Sequence, residues 1–424
     1  MQSNAIEMDQ LAIDGGEPVR RKPWPTYDKG HVVLDEEDAQ SLIDVMQSKR
    51  LFRYDNRGLN DTKVGQFENE LKQYFNTDYA LAVSSGTAAL SLPLMALQLP
   101  DNALVGCPAY SFTATPSAII QAKLKPLLIE VDANLQMDLT DLEKKLPQLK
   151  ALIVVHMRGF PAPLPAIKAL AERYGVPIIE DAVPSLGCKL GDKFLGTYGL
   201  AGAFSTQSDK SLNTGEGGFI LTNDKALYLN CVIMSGAYEC LYEKHCPHET
   251  AIDFTRLPVF NFRLDELRGV LGLSQLKKLT ARLDRLSKNY CHVLERIHDL
   301  AYVKPRAGWD ETVMPIGDNL LLKMKGTLDD CCWFAEALSA EGIDTKALGD
   351  CRKVNVRRFW DWAYLFDTSC RETIKSRHAA SAEHISSYLD IALSPTLNEK
   401  DIDDFCTALR KVHHHYEQRK AVTA

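Results

Sequence analysis

Three short stretches of the 424-residue chain set chemically capable side chains at the ends of apolar runs. The run YALAVS leads into Ser85-Gly86-Thr87-Ala88-Ala89, small residues that open a helical segment. Hydroxyls and unpaired backbone N–H groups at a helix N-terminus hold anions, and Gly86 permits close approach of a ligand to the backbone. Taken alone, the same pattern describes an ordinary Ser-capped helix start. The run VPIIE ends in Asp181, a carboxylate placed either to cap a helix or to face a cation. Lys210, in FSTQSDKSLNTGEGGFI, follows a short strand and precedes a glycine-rich turn, with no helical face to decorate. A phosphate cradle, a strand-end carboxylate and a loop amine together are what pyridoxal 5′-phosphate requires. The amine holds the aldehyde as a Schiff base, and the carboxylate keeps the pyridine nitrogen protonated so that the ring draws electrons. Phe112, in PAYSFTATPSAI, offers an aromatic face to that ring.

Positioning these residues calls for strands that end side by side, because ligands of open α/β sheets gather at the carboxyl ends of the strands. The runs YALAVS, ALVGCP, KPLLIEV, ALIVVH and VPIIED are brief and aliphatic, and helical spacing appears between several of them, as in PAIKALAERYG. Such alternation predicts a mostly parallel sheet between helices. An N-terminal arm over residues 1–34 is expected to run extended across the surface, since GGEPVRRKPWP is rich in turn formers and proline. A large α/β domain is expected over 35–265. A smaller α+β domain is expected over 266–424, opening with a long linking helix that breaks or bends near its middle.

Composition narrows the function classes. Lys and Arg number 49 against 56 Asp and Glu, a net charge of −7, which argues against a nucleic-acid binder. No apolar stretch is long enough to span a bilayer. The opening MQSNAIEMDQLAIDGG lacks the basic and apolar blocks of a secretory signal, so a cytoplasmic protein is expected. Eleven cysteines without a CxxC spacing are no disulfide framework. Cys240, His245, Cys246 and His248 have metal-ligand chemistry but no defensible zinc spacing, so no metal is expected.

The blocks SSGTAAL, PAYSFTATPSAI, VPIIEDA, FSTQSDKSLNTGEGGFI and FNFRLDELRGVLGLSQLKKL, in that order, resemble the signature segments of the DegT/StrS sugar aminotransferases. That resemblance implies a fold-type I, pyridoxal-phosphate-dependent transferase. It assigns Lys210 as the Schiff-base lysine, Asp181 as the partner of the ring nitrogen and Phe112 as the stacking ring. Ser85, Gly86, Thr87 and Ser205 would hold the phosphate, and Asn261 would reach it from the neighbouring subunit of a homodimer with shared sites. Two positions depart from the family pattern. Pro184 stands where EDxAQ or EDxAH places a side chain that contacts the ring hydroxyl, and His156-Met157-Arg158-Gly159 replaces HxYG.

The implied activity transfers an amino group from glutamate or glutamine to a sugar carbonyl. Arg158, together with Arg50 and Arg53 in SKRLFRYDN, suggests an anionic acceptor, because a guanidinium pairs a carboxylate through two parallel hydrogen bonds. An acid sugar of lipopolysaccharide synthesis, 8-oxo-octulosonate converted to 8-amino-octulosonate, is the expectation; a nucleotide-linked keto-sugar is the alternative. A sugar dehydratase of the same fold would carry histidine at position 210, and a non-catalytic regulatory relative would have lost the lysine or the aspartate. The aromatic run Phe359, Trp360, Trp362, Tyr364 and Phe366 is expected to pack, and His413 to His415 to close a solvated final helix.

Overall fold

The structure, a computed structural model, describes residues 10–25, 34–246 and 254–423. Strands β1 (Tyr79–Val83), β2 (Leu104–Pro108), β3 (Lys125–Ile129), β4 (Ala151–Val155), β5 (Ile178–Asp181), β8 (Ala201–Ser205) and β9 (Gly218–Thr222) make a seven-stranded sheet. A hairpin of two-residue strands, β6 (Lys189–Leu190) and β7 (Lys193–Phe194), lies between β5 and β8 in the chain. The order in the large sheet is β1-β9-β8-β5-β4-β2-β3. All pairings from β3 to β8 are parallel, whereas β9 runs antiparallel to both β8 and β1. Strand β1 therefore points the same way as β8, and the carboxyl ends of β1, β2, β4, β5 and β8 share one edge.

Both faces of this sheet are covered, which is why its strands read as continuous apolar runs. Side chains alternate with period two: Leu81 and Val83 join one core with Ile153, Ile179 and the helices Gly86–Ala96 and Lys225–Ser235. Ala80 and Ala82 face the opposite core with Phe67, Leu71, Phe204 and Phe219.

A second, antiparallel sheet follows, with strands β10 (Val303–Pro305), β11 (Asn319–Met324), β12 (Thr345–Ala347) and β13 (Tyr388–Ala392) in the order β10-β11-β13-β12. Its own apolar core is closed by the helices Leu279–Ile297, Leu328–Ala340 and Glu399–Thr423. The expected long helix is indeed broken, into Glu266–Lys277 and Leu279–Ile297, and Lys278 at the joint pairs with Asp35 at 2.7 Å and Asp38 at 3.0 Å.

One expectation gains detail and another needs correction. The described part of the N-terminal arm, mostly exposed or half-buried, is anchored at three of its residues. Leu11 and Trp24 are buried in the second core, the Trp24 indole donates to the Ala392 carbonyl at 2.8 Å, and Arg20 pairs with Asp401 and Asp404. The final helix runs on to Thr423, so His413 does not end it. His413 is buried, and its Nε2 accepts the N–H groups of Ala301 and Tyr302. No described helix is long and apolar enough to cross a membrane.

Candidate active site

The shared edge of strand ends forms one wall of a cavity of about 220 Å³; the second sheet supplies the facing wall. Ser85, Gly86, Thr87, Phe112, Arg158, Asp181, Ser205 and Lys210 all line it, as do Pro184 and Glu216. Of the residues picked out from sequence as cofactor contacts, Asn261 alone lies elsewhere, on an exposed stretch between Phe260 and Phe262.

Ser85 caps the helix Gly86–Ala96, its hydroxyl accepting the N–H of Ala88 at 3.1 Å. The plainer interpretation of this segment is thus correct, and it is compatible with the other, because a capped start still leaves the first N–H groups facing outward. Gly86 is required by a neighbour as well as by any ligand. A Cβ there would sit 2.7 Å from the Cβ of Ser205, so the helix start packs its bare backbone against the Ser205 side chain at the end of β8.

Asp181 is 4% exposed. Its Oδ2 accepts the hydroxyl of Thr115 at 2.8 Å and its Oδ1 the N–H of Val183 at 3.3 Å. Burial pushes its pKa upward against those hydrogen bonds and against the charge of Lys210. A cation facing it from the cavity would relieve that cost. Beside it, Glu180 is wholly buried and fixes the strand end: it accepts the N–H groups of Gly196, Tyr198 and Gly199, and pairs with His156 Nε2 at 3.0 Å. His156 Nδ1 accepts the N–H of Ala162, which leaves Nε2 to carry the proton toward Glu180. Lys210 approaches from the turn after β8, its amine 3.3 Å from Asp209. The Phe112 ring is 45% exposed, with the Arg357 guanidinium 5.9 Å from its centre.

Arg158 lines the cavity from a backbone turn with φ 60°, and its guanidinium pairs with the buried carboxylate of Asp390 on β13. The other two arginines of the anionic-acceptor argument do not line the cavity. Arg53 is buried against Glu68 at 2.6 Å, and Arg50 sits on the surface near Asp55 and Asn56. The second sheet and its loops contribute Asp318, Asn319, Asp344, Lys346, Arg357 and Asp390, none of which stood out in the sequence. Asp390 carried one usable signal, as the single charge inside the apolar run YLDIAL.

Among the described residues no group of three His, Cys, Asp or Glu side chains could hold a metal ion. His245 is enclosed by the hydroxyls of Tyr54 and Tyr228 at 2.8 and 2.7 Å, and His248 lies outside the described residues. Phe359, Trp360 and Trp362 pack into the main core.

The model of the DegT/DnrJ/EryC1/StrS aminotransferase family matches residues 33–410. The chain is 31% identical over 217 residues to GDP-perosamine synthase of Escherichia coli O157:H7, an overlap of 51% of this chain and 57% of that protein. It thus spans little more than half the length of that relative. It is 27% identical over 308 residues to L-glutamine:2-deoxy-scyllo-inosose aminotransferase of Streptomyces kanamyceticus, 71% of each chain. Among solved structures, Helicobacter pylori PseC, an aminotransferase involved in the biosynthesis of pseudoaminic acid, superposes with a TM-score of 0.77 at 20% identity. That match covers 93% of this chain and 100% of PseC, a likeness of fold.

Proposed function

The chain belongs to the DegT/DnrJ/EryC1/StrS aminotransferase family, and from that premise we propose that it is a pyridoxal-phosphate-dependent transaminase that aminates a sugar carbonyl. One observation carries the proposal: a helix N-terminus, a buried carboxylate and a lysine amine surround a single cavity. The residues fit the cofactor. The N–H groups at Gly86 and Thr87, with the Ser205 hydroxyl, suit a phosphate; Asp181 suits a cationic ring nitrogen; Phe112 suits the ring face. Pro184 offers no side-chain hydrogen bond to a ring hydroxyl. When bound, pyridoxal phosphate supplies an electron sink that stabilises negative charge at the carbon losing its proton.

The chain's own groups do the rest. Lys210 Nζ would hold the cofactor's aldehyde, and with glutamate or glutamine as donor the same amine would serve as general base for the donor's Cα proton and return a proton to the carbon being aminated. Asp181 would keep the ring nitrogen protonated.

Arg158, Lys346 and Arg357 line the cavity, and these cations support a negatively charged acceptor. The finer proposal is the acid sugar 8-oxo-octulosonate, aminated to 8-amino-octulosonate; the pairing of Arg158 with Asp390 favours, as the second reading, a keto-sugar whose charge lies on a linked nucleotide away from Arg158. We further propose a cytoplasmic homodimer in which Asn261 serves the partner's site, consistent with its exposed position beside the exposed Val259 and Phe260.

The test has two stages. Borohydride should bleach the visible absorbance of the cofactor-loaded protein and leave the cofactor covalently on the Lys210 peptide, whereas Lys210→Ala should give no such adduct. Amine-loaded protein is then offered each candidate sugar, and the return of absorbance identifies the acceptor. An adduct at any other lysine overturns the assignment.

A further inference from the structure

A strand end fixes where Asp181 begins but not where its carboxylate points; two side chains do that. Thr115, in the first turn of the helix Ala114–Gln121, is wholly buried and donates its hydroxyl proton to Asp181 Oδ2 at 2.8 Å. Its oxygen also lies 2.6 Å from the hydroxyl of Ser111, which is likewise buried and lines the cavity. A threonine has one proton to give, and here the carboxylate takes it, so Ser111 must be the donor in the second bond. Both protons therefore run toward Asp181. An ionised Asp181 accepts on both oxygens, taking the Thr115 hydroxyl on Oδ2 and the Val183 N–H on Oδ1, so both donors favour the charged form.

Burial works the other way, driving the Asp181 proton affinity up, and the Thr115 hydrogen bond is the largest influence opposing it, ahead of the Val183 N–H and the charge of Lys210. His156 is itself tied to Glu180, and Lys210 to Asp209, so neither is dedicated to Asp181. The hydroxyl of Thr115 is.

We propose that Thr115, backed by Ser111, is the positioning residue that turns the Asp181 carboxylate toward the cofactor's ring nitrogen and holds it ionised. The inference rests on the function proposed above. Thr115 does not touch the cofactor in this scheme; it acts through Asp181. Valine reproduces its shape without the hydroxyl, and serine keeps the hydroxyl without the methyl, so the two substitutions separate positioning from packing.

The experiment compares wild type, Thr115→Val, Thr115→Ser and Ser111→Ala by pyridoxal phosphate titration, by the pH dependence of the bound cofactor's absorbance, and by amine loading from glutamate. Thr115→Val should bind the cofactor at least about tenfold more weakly and load at least about tenfold more slowly, as expected for the loss of a hydrogen bond to a charged group. Its acid-side absorbance transition should move to higher pH, because a carboxylate deprived of a donor takes up its proton earlier. Thr115→Ser should restore both, and Ser111→Ala should show the same changes, smaller. If wild type binds cofactor and Thr115→Val behaves identically, or if Thr115→Ser is as impaired as Thr115→Val, the positioning role is overturned while the proposed function stands. Failure of wild type to bind pyridoxal phosphate overturns both.

Discussion

A Cβ on Gly86 would lie 2.7 Å from the Cβ of Ser205, so the helix start that offers its N–H groups and the end of β8 are pressed together with no room for a methyl. The same closeness recurs one strand along, where a Cβ on Gly218 would meet the carbonyl carbon of Ser85 at 2.7 Å. The cradle is thus set by close packing of three segments at two glycines. Gly86→Ala should push the helix off β8, weakening pyridoxal phosphate binding by at least about tenfold and stability by about 1–3 kcal/mol, the usual cost of overpacking. Cofactor titration and urea unfolding measure the two effects. A variant that binds as wild type would mean that the contact relaxes without disturbing the cradle.

Arg158 and Asp390 bring the two sheets together across the cavity, with side chains only 13% and 3% exposed. Removing one member of a buried pair leaves the other charge uncompensated, at a cost of about 3–5 kcal/mol. Asp390→Leu should therefore destabilise the protein by several kcal/mol, and Arg158→Met with Asp390→Leu by less than the sum of the single changes. In catalysis, Arg158→Lys keeps a charge but loses the planar fork. It should slow the sugar half-reaction and leave glutamate loading unchanged. Equal impairment of both halves would make Arg158 the donor's anchor, and no change in either would confine it to holding the sheets together.

What could be seen in the sequence, and what could not, divides along contact range. Ser85, Gly86, Asp181 and Lys210 were legible because each ends or follows its own apolar strand within a few residues, and the family resemblance suggested their roles. The facing wall was not. Asp390 meets Arg158 from 232 positions away, and Thr115 meets Asp181 from 66, distances over which no local periodicity reports. Charge was a poor guide to exposure: Arg53, in a polar stretch, is buried because Glu68 neutralises it. His413 looked like part of a solvated cationic run, yet two otherwise unpaired N–H groups hold it inside. The three-residue strands β10 and β12 lack the length that made the parallel strands readable.

The link from the end of β3 to the helix Ala379–Ser386 should make stability pH-dependent. Glu130 pairs with His378 Nδ1 at 2.7 Å and accepts the hydroxyl and N–H of Ser381. Burial opposes ionisation, but the His378 and Ser381 hydrogen bonds outweigh it and bring the carboxyl from 4.5 to about 2. A carboxyl depressed on folding stabilises fully above its unfolded value and loses that stabilisation as pH falls through its folded value. The contribution, at most about 3 kcal/mol, should be complete above pH 4.5 and vanish as pH approaches about 2. Urea midpoints of wild type and Glu130→Gln should differ by a constant amount near neutrality and converge across that window. A difference that persists unchanged at the acid end would assign the loss to packing.

Asn261 is flanked by Phe260 and Phe262, whose N–H groups donate to the carbonyls of Met234 and Ser235, and it precedes the helix starting at Glu266; it is exposed and does not line its own chain's cavity. The two exposed apolar residues just before it, Val259 at 46% and Phe260 at 37%, are what a two-fold contact would cover. If Asn261 serves the partner's phosphate, each site of a homodimer draws Lys210 from one protomer and Asn261 from the other. Lys210→Ala and an Asn261→Ala protein should each be inactive or nearly so, for different reasons. After subunit exchange, the mixed dimer contains one site that lacks both residues and one that has both intact. Activity should therefore reappear on mixing, approaching about a quarter of the wild-type level per protomer if exchange is complete and random. Pyridoxal phosphate affinity should follow the same course, weak in the Asn261→Ala homodimer and recovered at one site in the mixture. Mixing that restores nothing, under conditions where the subunits demonstrably exchange, would place Asn261 outside the site.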